Sequence, residues 1–193
     1  MKLKRDDLWS LEEYAAERAS FRAMILKHKK ARQVALGPNA TLYFEDRLTM
    51  KYQVQEMLRV ERIFEREQIE EELAAYNPLI PDGKNWKATF MIEYGDEEER
   101  RKALANMGGI EETLWVQVGA GEKSYAITNE DMDRTRDAKA AAVHFTRFEL
   151  SNADLESIRK GSEIRFGLDH ASLATTVTLD LKERLSLVAD IDL

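Results

Sequence analysis

Apolar side chains recur every three to four residues near the start of the chain: Leu11, Tyr14, Phe21 and Ile25, with Ala15 and Arg18 filling the turn between. That spacing predicts an amphipathic helix over residues 8–30, with Asp6 and Asp7 as caps. Residues 33–36 and 41–45 read as short strands on either side of Gly37-Pro38-Asn39, a turn signal, and so as a hairpin. A second helical period covers residues 47–75. Met50, Val54, Met57 and Phe64 share one stripe, interrupted by Glu61, whereas Ile69, Leu73 and Tyr76 form an offset one. The change of phase predicts a bend or break near Glu67-Gln68. Tyr76-Asn77-Pro78 ends the helix, because the residue before a proline disfavours α geometry. A loop with two prolines and Asp82-Gly83 follows.

Beyond residue 86 the period changes to strands mixed with short helices, and a repeat emerges. The first copy reads strand 87–94, helix 97–107, strand 113–118, turn Gly119-Ala120-Gly121, strand 124–128 and a helical stretch over 130–138. The second reads strand 141–150, helix 153–160, strand 163–168, turn Asp169-His170-Ala171, strand 174–179 and helix 181–189. Asp96 and Asn152 are matching N-cap candidates. One β-α-β-β-α unit alone would leave a sheet edge and a helix face bare, and two together cover both. The expected class is therefore α+β: N-terminal helices plus a mixed β-sheet built from two similar β-α-β-β-α modules. Residues 1–86 form a helical region with a short hairpin, residues 87–193 the duplicated sheet region, packed as one unit.

Composition narrows the chemistry. The 193 residues are 44% hydrophobic and 34% charged, which is globular rather than disordered. The absence of cysteine excludes disulfides, thiolate metal sites and cysteine nucleophiles. There is no apolar run of membrane-spanning length, and no signal-peptide core follows Met1-Lys2-Leu3-Lys4-Arg5-Asp6, so a cytoplasmic location is expected and a membrane is not. Residues 1–36 carry nine Lys/Arg and five Asp/Glu, a net of +4, which leaves −11 for the remainder of a chain with net charge −7. An acidic chain is poorly suited to tracking phosphates, so nucleic acid is an unfavourable partner.

Phosphate loops, dinucleotide fingerprints, H-E-x-x-H, nucleophile elbows and Glu-x-x-His pairs are all missing, and no cofactor is indicated. Three groups of residues could still carry chemistry. On the strand Val143-His144-Phe145-Thr146-Arg147-Phe148-Glu149, alternation puts His144 on one face and Arg147 with Glu149 on the other, so each needs a partner or a ligand. On the second helix, Glu56, Arg59 and Glu61 lie in or beside the apolar seam, suited either to ion pairing or, with His144 and Arg147-Glu149, to ligand binding. Glu56, Glu61, His144 and His170 are the candidate metal ligands; Asp169 beside His170 could fix its tautomer. Third, Lys27, Lys29, Lys30 and Arg32 form a basic run that complements a helix C-terminus or binds an anion.

The segments Tyr52–Ile63, Tyr76–Gly83, Val34-Ala35-Leu36-Gly37-Pro38 and His144–Glu149 together resemble a bacterial family catalogued as a domain of unknown function, with members of about this length. Members are often encoded near rubrerythrin-like and iron–sulfur oxidoreductase proteins, which implies a loose link to redox or metal metabolism; the family carries no catalytic residues over. Two readings follow. The first is a non-catalytic protein that binds a partner or a small ligand, as a homodimer or with another protein, because the long helix has more apolar positions than one face requires. The alternative is a metal-dependent enzyme or metal-handling protein.

Overall fold

The computed structural model describes residues 2–128, 130 and 140–193. The elements run α1 (Leu11–Lys29), β1 (Gln33–Gly37), β2 (Ala40–Phe44), α2 (Arg47–Glu61), α3 (Arg66–Tyr76), β3 (Asn85–Ile92), α4 (Glu97–Leu104), β4 (Leu114–Val118), β5 (Ser124–Tyr125), β6 (Ile127–Thr128), β7 (Val143–Glu149), α5 (Asn152–Arg159), β8 (Ile164–His170), β9 (Leu173–Thr178) and α6 (Leu181–Val188). The class is α+β. The helix expected over 130–138 lies outside the described residues, Glu130 excepted.

The single mixed sheet expected from the repeat is replaced by two sheets. Five strands are ordered β1-β2-β3-β7-β6 and four are ordered β5-β4-β8-β9. Every pairing among the described residues is antiparallel. The split has a local cause. Tyr125 pairs with Trp115 of the smaller sheet, and two residues later Ile127 pairs with Arg147 of the larger. One short run of chain thus crosses from sheet to sheet at Ala126. The smaller sheet is palindromic with respect to the two repeats, and β3 pairs with β7 in the larger. The strands flanking that pair, β2 and β6, have no such correspondence.

Alternation along β2, β3 and β7 buries one face of the larger sheet against the smaller one, whose strands β4 and β8 are buried at successive positions as well. In β3, Trp86, Ala88, Phe90 and Ile92 point inward; in β7, His144, Thr146 and Phe148 do so. Phe166 of β8 is the centre of the sandwich, its ring 4.9 Å from Phe44, 5.1 Å from Phe148 and 5.8 Å from Trp86. Each such buried ring contributes about 2–3 kcal/mol. The Trp86 indole N–H donates to the Leu187 carbonyl at 2.8 Å, which docks α6 on the same core.

The helices begin where side chains can satisfy their first amides. Ser10 and Glu13 form a capping box for α1, so the helix starts after Ser10, and Asp6-Asp7 belong to a short 3-10 turn instead. Asp46 caps α2 through the Thr49 amide at 2.7 Å. Ser151, one residue before the expected Asn152, caps α5. The long helical period breaks at Arg62, earlier than expected, in the left-handed conformation (φ 56°, ψ 42°), and the Ile63 amide returns to Leu58 O at 2.9 Å. The chain then reverses, and α3 packs Ile69 and Leu73 on Met50, Val54 and Leu58 of α2, together with Leu3 and Ile80. Met50, Val54 and Leu58 of the long apolar stripe are thus used within the chain, whereas Val60 and Phe64 near its break stay exposed.

Candidate functional site

The outward face of the five-stranded sheet is where side chains of mixed character converge. Register places Tyr43, Thr89 and Phe145 in one cross-strand row and Lys87 and Arg147 in the next. All five are half-buried. Glu45, just past β2, extends the lysine row, because its amide bonds to the Lys87 carbonyl at 2.9 Å. Three cavities join along this face. One of about 320 Å³ lies between Lys29 and Met91 and reaches Glu45. The next, about 290 Å³, shares Glu45 and extends over Leu79, Lys87 and Phe145. The third, about 530 Å³, shares Pro78, Lys87 and Arg147 with the second and opens toward Lys2 and Asp82.

The polar groups of this groove are held in place by their neighbours. Arg147 grips Glu130 through Nε (2.9 Å) and Nη2 (2.7 Å), and its Nη1 meets Glu149, as their two-residue spacing on one strand face predicts. The Arg147 hydrogen bond holds the Glu130 carboxyl below its usual range, and Glu130 and Glu149 raise the guanidinium pKa further. Glu45 accepts from the Thr49 hydroxyl at 2.7 Å and the Thr89 hydroxyl at 3.1 Å. The Tyr43 hydroxyl donates to Glu93 at 2.8 Å, and burial with that carboxylate raises its pKa. Lys87 donates to the Pro78 carbonyl at 2.6 Å, and burial lowers its pKa.

Comparison with known proteins places this architecture. Residues 2–191 match the family model described as "Protein of unknown function (DUF3501)". The chain belongs to that family. A crystal structure of a novel protein of unknown function from Burkholderia pseudomallei is similar over its whole length: 42% identity, all of both chains covered, TM-score 0.93. None of the curated proteins matches. The family description assigns no chemistry to the chain.

The residues singled out from sequence fall in separate places. Glu56 is the hub of the α1–α2 contact. It accepts from Tyr14 Oη at 2.5 Å, Arg18 Nε at 2.7 Å and Arg18 Nη2 at 2.9 Å. The Arg18 hydrogen bonds hold its pKa at about 2. This is the pairing alternative, with the partner coming from α1 rather than from the same helix. Arg59 and Glu61 are exposed. His144 is buried in the sandwich, where its Nε2–H donates to the Ala141 carbonyl at 3.0 Å and Nδ1 lies 3.7 Å from the buried Glu111 carboxylate. His170 sits at the β8–β9 hairpin and accepts from the Ser172 amide at 3.1 Å. The neighbouring Asp169 turns instead to Lys123 and Tyr125, so it does not orient the imidazole. Glu56, Glu61, His144 and His170 therefore do not assemble, and no group of three potential metal ligands occurs among the described residues.

The basic run divides. Lys27 and Lys29 occupy the last turn of α1, Lys29 beside the Tyr52 ring at 5.9 Å. Lys30 follows in a 3-10 turn and is exposed. Arg32 is buried, with its side chain 2% exposed, and its donors serve the carbonyls of Phe44, Glu45 and Ser186 and the carboxylate of Asp190. It is a cross-link within the fold, not part of an anion-binding surface. No helix among the described residues is long and apolar enough to cross a membrane.

Glu45, Lys87 and Thr89 were not visible as a group in the sequence. Their common face follows from β2–β3 pairing, and residues more than 40 positions apart leave no local signature of it. Of the expected ligand-binding set, Arg147 lines this groove, and Glu149 reaches it only through its contact with Arg147.

Proposed function

We propose that the chain is a non-catalytic binding protein that takes a small organic ligand in the groove across the outward face of the five-stranded sheet. The observation that supports this reading is the continuity of the three cavities, which share Glu45 on one side and Lys87 with Arg147 on the other. Concave sites with an apolar lining and a few fixed polar groups are the usual form of small-molecule sites. Phe145, Leu79 and Met91 supply the apolar part. Arg147 and Glu45 are already oriented by internal hydrogen bonds, so little side-chain freedom is lost on binding.

The test is to block the groove. Thr89 lies mid-strand on the outward face between the first two cavities, and Thr89→Trp fills that space while keeping a strand-compatible side chain. Saturation-transfer NMR with a library of small carboxylates, amines and amino acids is run on wild type and variant, with folding checked by circular dichroism. Ligands that bind wild type and are lost from a folded Thr89→Trp variant support the reading. Equal binding by both proteins, or none by wild type, contradicts it.

A further inference from the structure

Glu45 and Lys87 are opposed across the β2–β3 pairing, continuing the register in which Phe44 faces Ala88. Directly opposed residues have Cβ atoms about 5 Å apart, and opposite charges there ordinarily pair. Here they do not. No ion pair joins them among the described residues, because each is drawn away by other partners. Both Glu45 carboxylate oxygens are turned to threonine hydroxyls, Oε2 to Thr49 and Oε1 to Thr89. The Lys87 ammonium is turned to the Pro78 carbonyl. Both side chains line one cavity of about 290 Å³.

The arrangement leaves capacity on both sides. A carboxylate has about four lone-pair sites, and two hydroxyl donors use half of them. An ammonium has three donors, and one carbonyl uses one. An unmade ion pair around a cavity is complementary to a molecule that carries both charges in the opposite order. We infer that Glu45 and Lys87 form a split receptor for a small zwitterion, with Glu45 taking the ligand's ammonium and Lys87 its carboxylate. Phe145 and Leu79, on the walls of the same cavity, cover the methylenes between the two charges. This inference rests on the groove being the binding site and specifies what enters it. A purely anionic ligand would meet Glu45 unfavourably, and a purely cationic one would meet Lys87 in the same way; the zwitterion satisfies both.

The experiment is calorimetric titration of the full chain with β-alanine, γ-aminobutyrate and ε-aminocaproate, which differ in the span between their charges. Pentylamine and caproate serve as single-charge controls. One member of the series is expected to bind about tenfold or more tighter than either control, because each control lacks one charge-assisted contact. Glu45→Gln and Lys87→Met are each expected to weaken that member about tenfold or more, and the charge swap E45K/K87E to restore it, with the ligand reversed. The single variants keep the test decisive if the double variant does not fold. Two results overturn the inference while leaving the groove reading intact. One is caproate or pentylamine binding as tightly as the best zwitterion and competing at the groove; the other is failure of the whole series when another ligand is blocked by Thr89→Trp. If no ligand of any charge is sensitive to Thr89→Trp, the groove reading falls, and the inference with it.

Discussion

Arg32 provides the sharpest test of how the fold is held. Its guanidinium ties the end of β2, through the carbonyls of Phe44 and Glu45, to the end of α6, through Ser186 and Asp190. Nε also lies 3.5 Å from Asp46, the N-cap of α2, which His28 contacts at 2.6 Å. Arg32→Met keeps the length of the side chain and removes every donor. It leaves three carbonyls and a carboxylate without their partner. One unsatisfied buried acceptor costs about 1–3 kcal/mol, and stripping one side from a buried ion pair costs about 3–5 kcal/mol. The upper part of that range applies only while Asp190 stays charged. Burial already pushes Asp190 up to about 6, with Arg32 opposing the rise. Because this folded-state pKa exceeds the unfolded value of 3.8, the group's contribution is full at low pH and declines as pH rises through about 6. Removing Arg32 raises the folded-state pKa further, so the variant keeps losing stability to a higher pH than wild type does. Urea unfolding followed by circular dichroism should show a loss of about 3–5 kcal/mol at pH 8 and a smaller loss at pH 5. A loss under about 1 kcal/mol at pH 8, or a loss as large at pH 5 as at pH 8, would refute the cross-link.

Other perturbations check the remaining parts of the structure. Glu56 has a folded-state pKa of about 2, below its ordinary 4.5, so its contribution is present above pH 4.5 and lost as pH falls toward 2. Glu56→Gln should therefore be less stable than wild type near pH 6, with the gap closing on acidification; a gap independent of pH contradicts the Tyr14–Arg18–Glu56 contact. Gly167 lies under the Trp115 ring, where an added Cβ would be 2.2 Å from an indole carbon and 2.5 Å from the Thr175 carbonyl oxygen. Gly167→Ala should lower the thermal midpoint by the equivalent of about 1–3 kcal/mol or more, and an unchanged midpoint would mean that the ring does not pack there.

Elements were readable from the sequence where one residue type or one period decided them. Alternation from Lys87 onward marked β3, and Asp96 marked the start of α4, because both signals are local. The end of α2 was misplaced by a few residues, since Arg62 adopts a left-handed cap that glycine would have advertised and arginine does not. The two-sheet arrangement was hidden for a different reason. Whether β4 pairs with β3 or with β8 depends on long-range register, and the crossing at Ala126 takes one residue. The same limit applied to side chains. Arg147 and Glu149 could be paired on paper because they share a strand face. Of the side chains on that strand expected to need a partner, Arg147 meets Glu149, while His144 faces Glu111 from the turn before β4, a residue outside every group singled out from the sequence. The groove was the least legible feature, because it is made by a hairpin, two distant strands and a proline loop brought together by tertiary pairing.

The location of the binding site is tested most directly by mapping backbone amide shifts in a nitrogen–proton correlation spectrum as the tightest small ligand is titrated in. The groove predicts saturable shifts centred on Tyr43, Glu45, Lys87, Thr89 and Phe145. A second cavity of about 520 Å³, lined by Leu8, Trp9, Leu58 and Phe64, provides the internal comparison. Shifts centred on that cavity, with Lys87 and Thr89 unmoved, would contradict the assignment of the sheet face as the site.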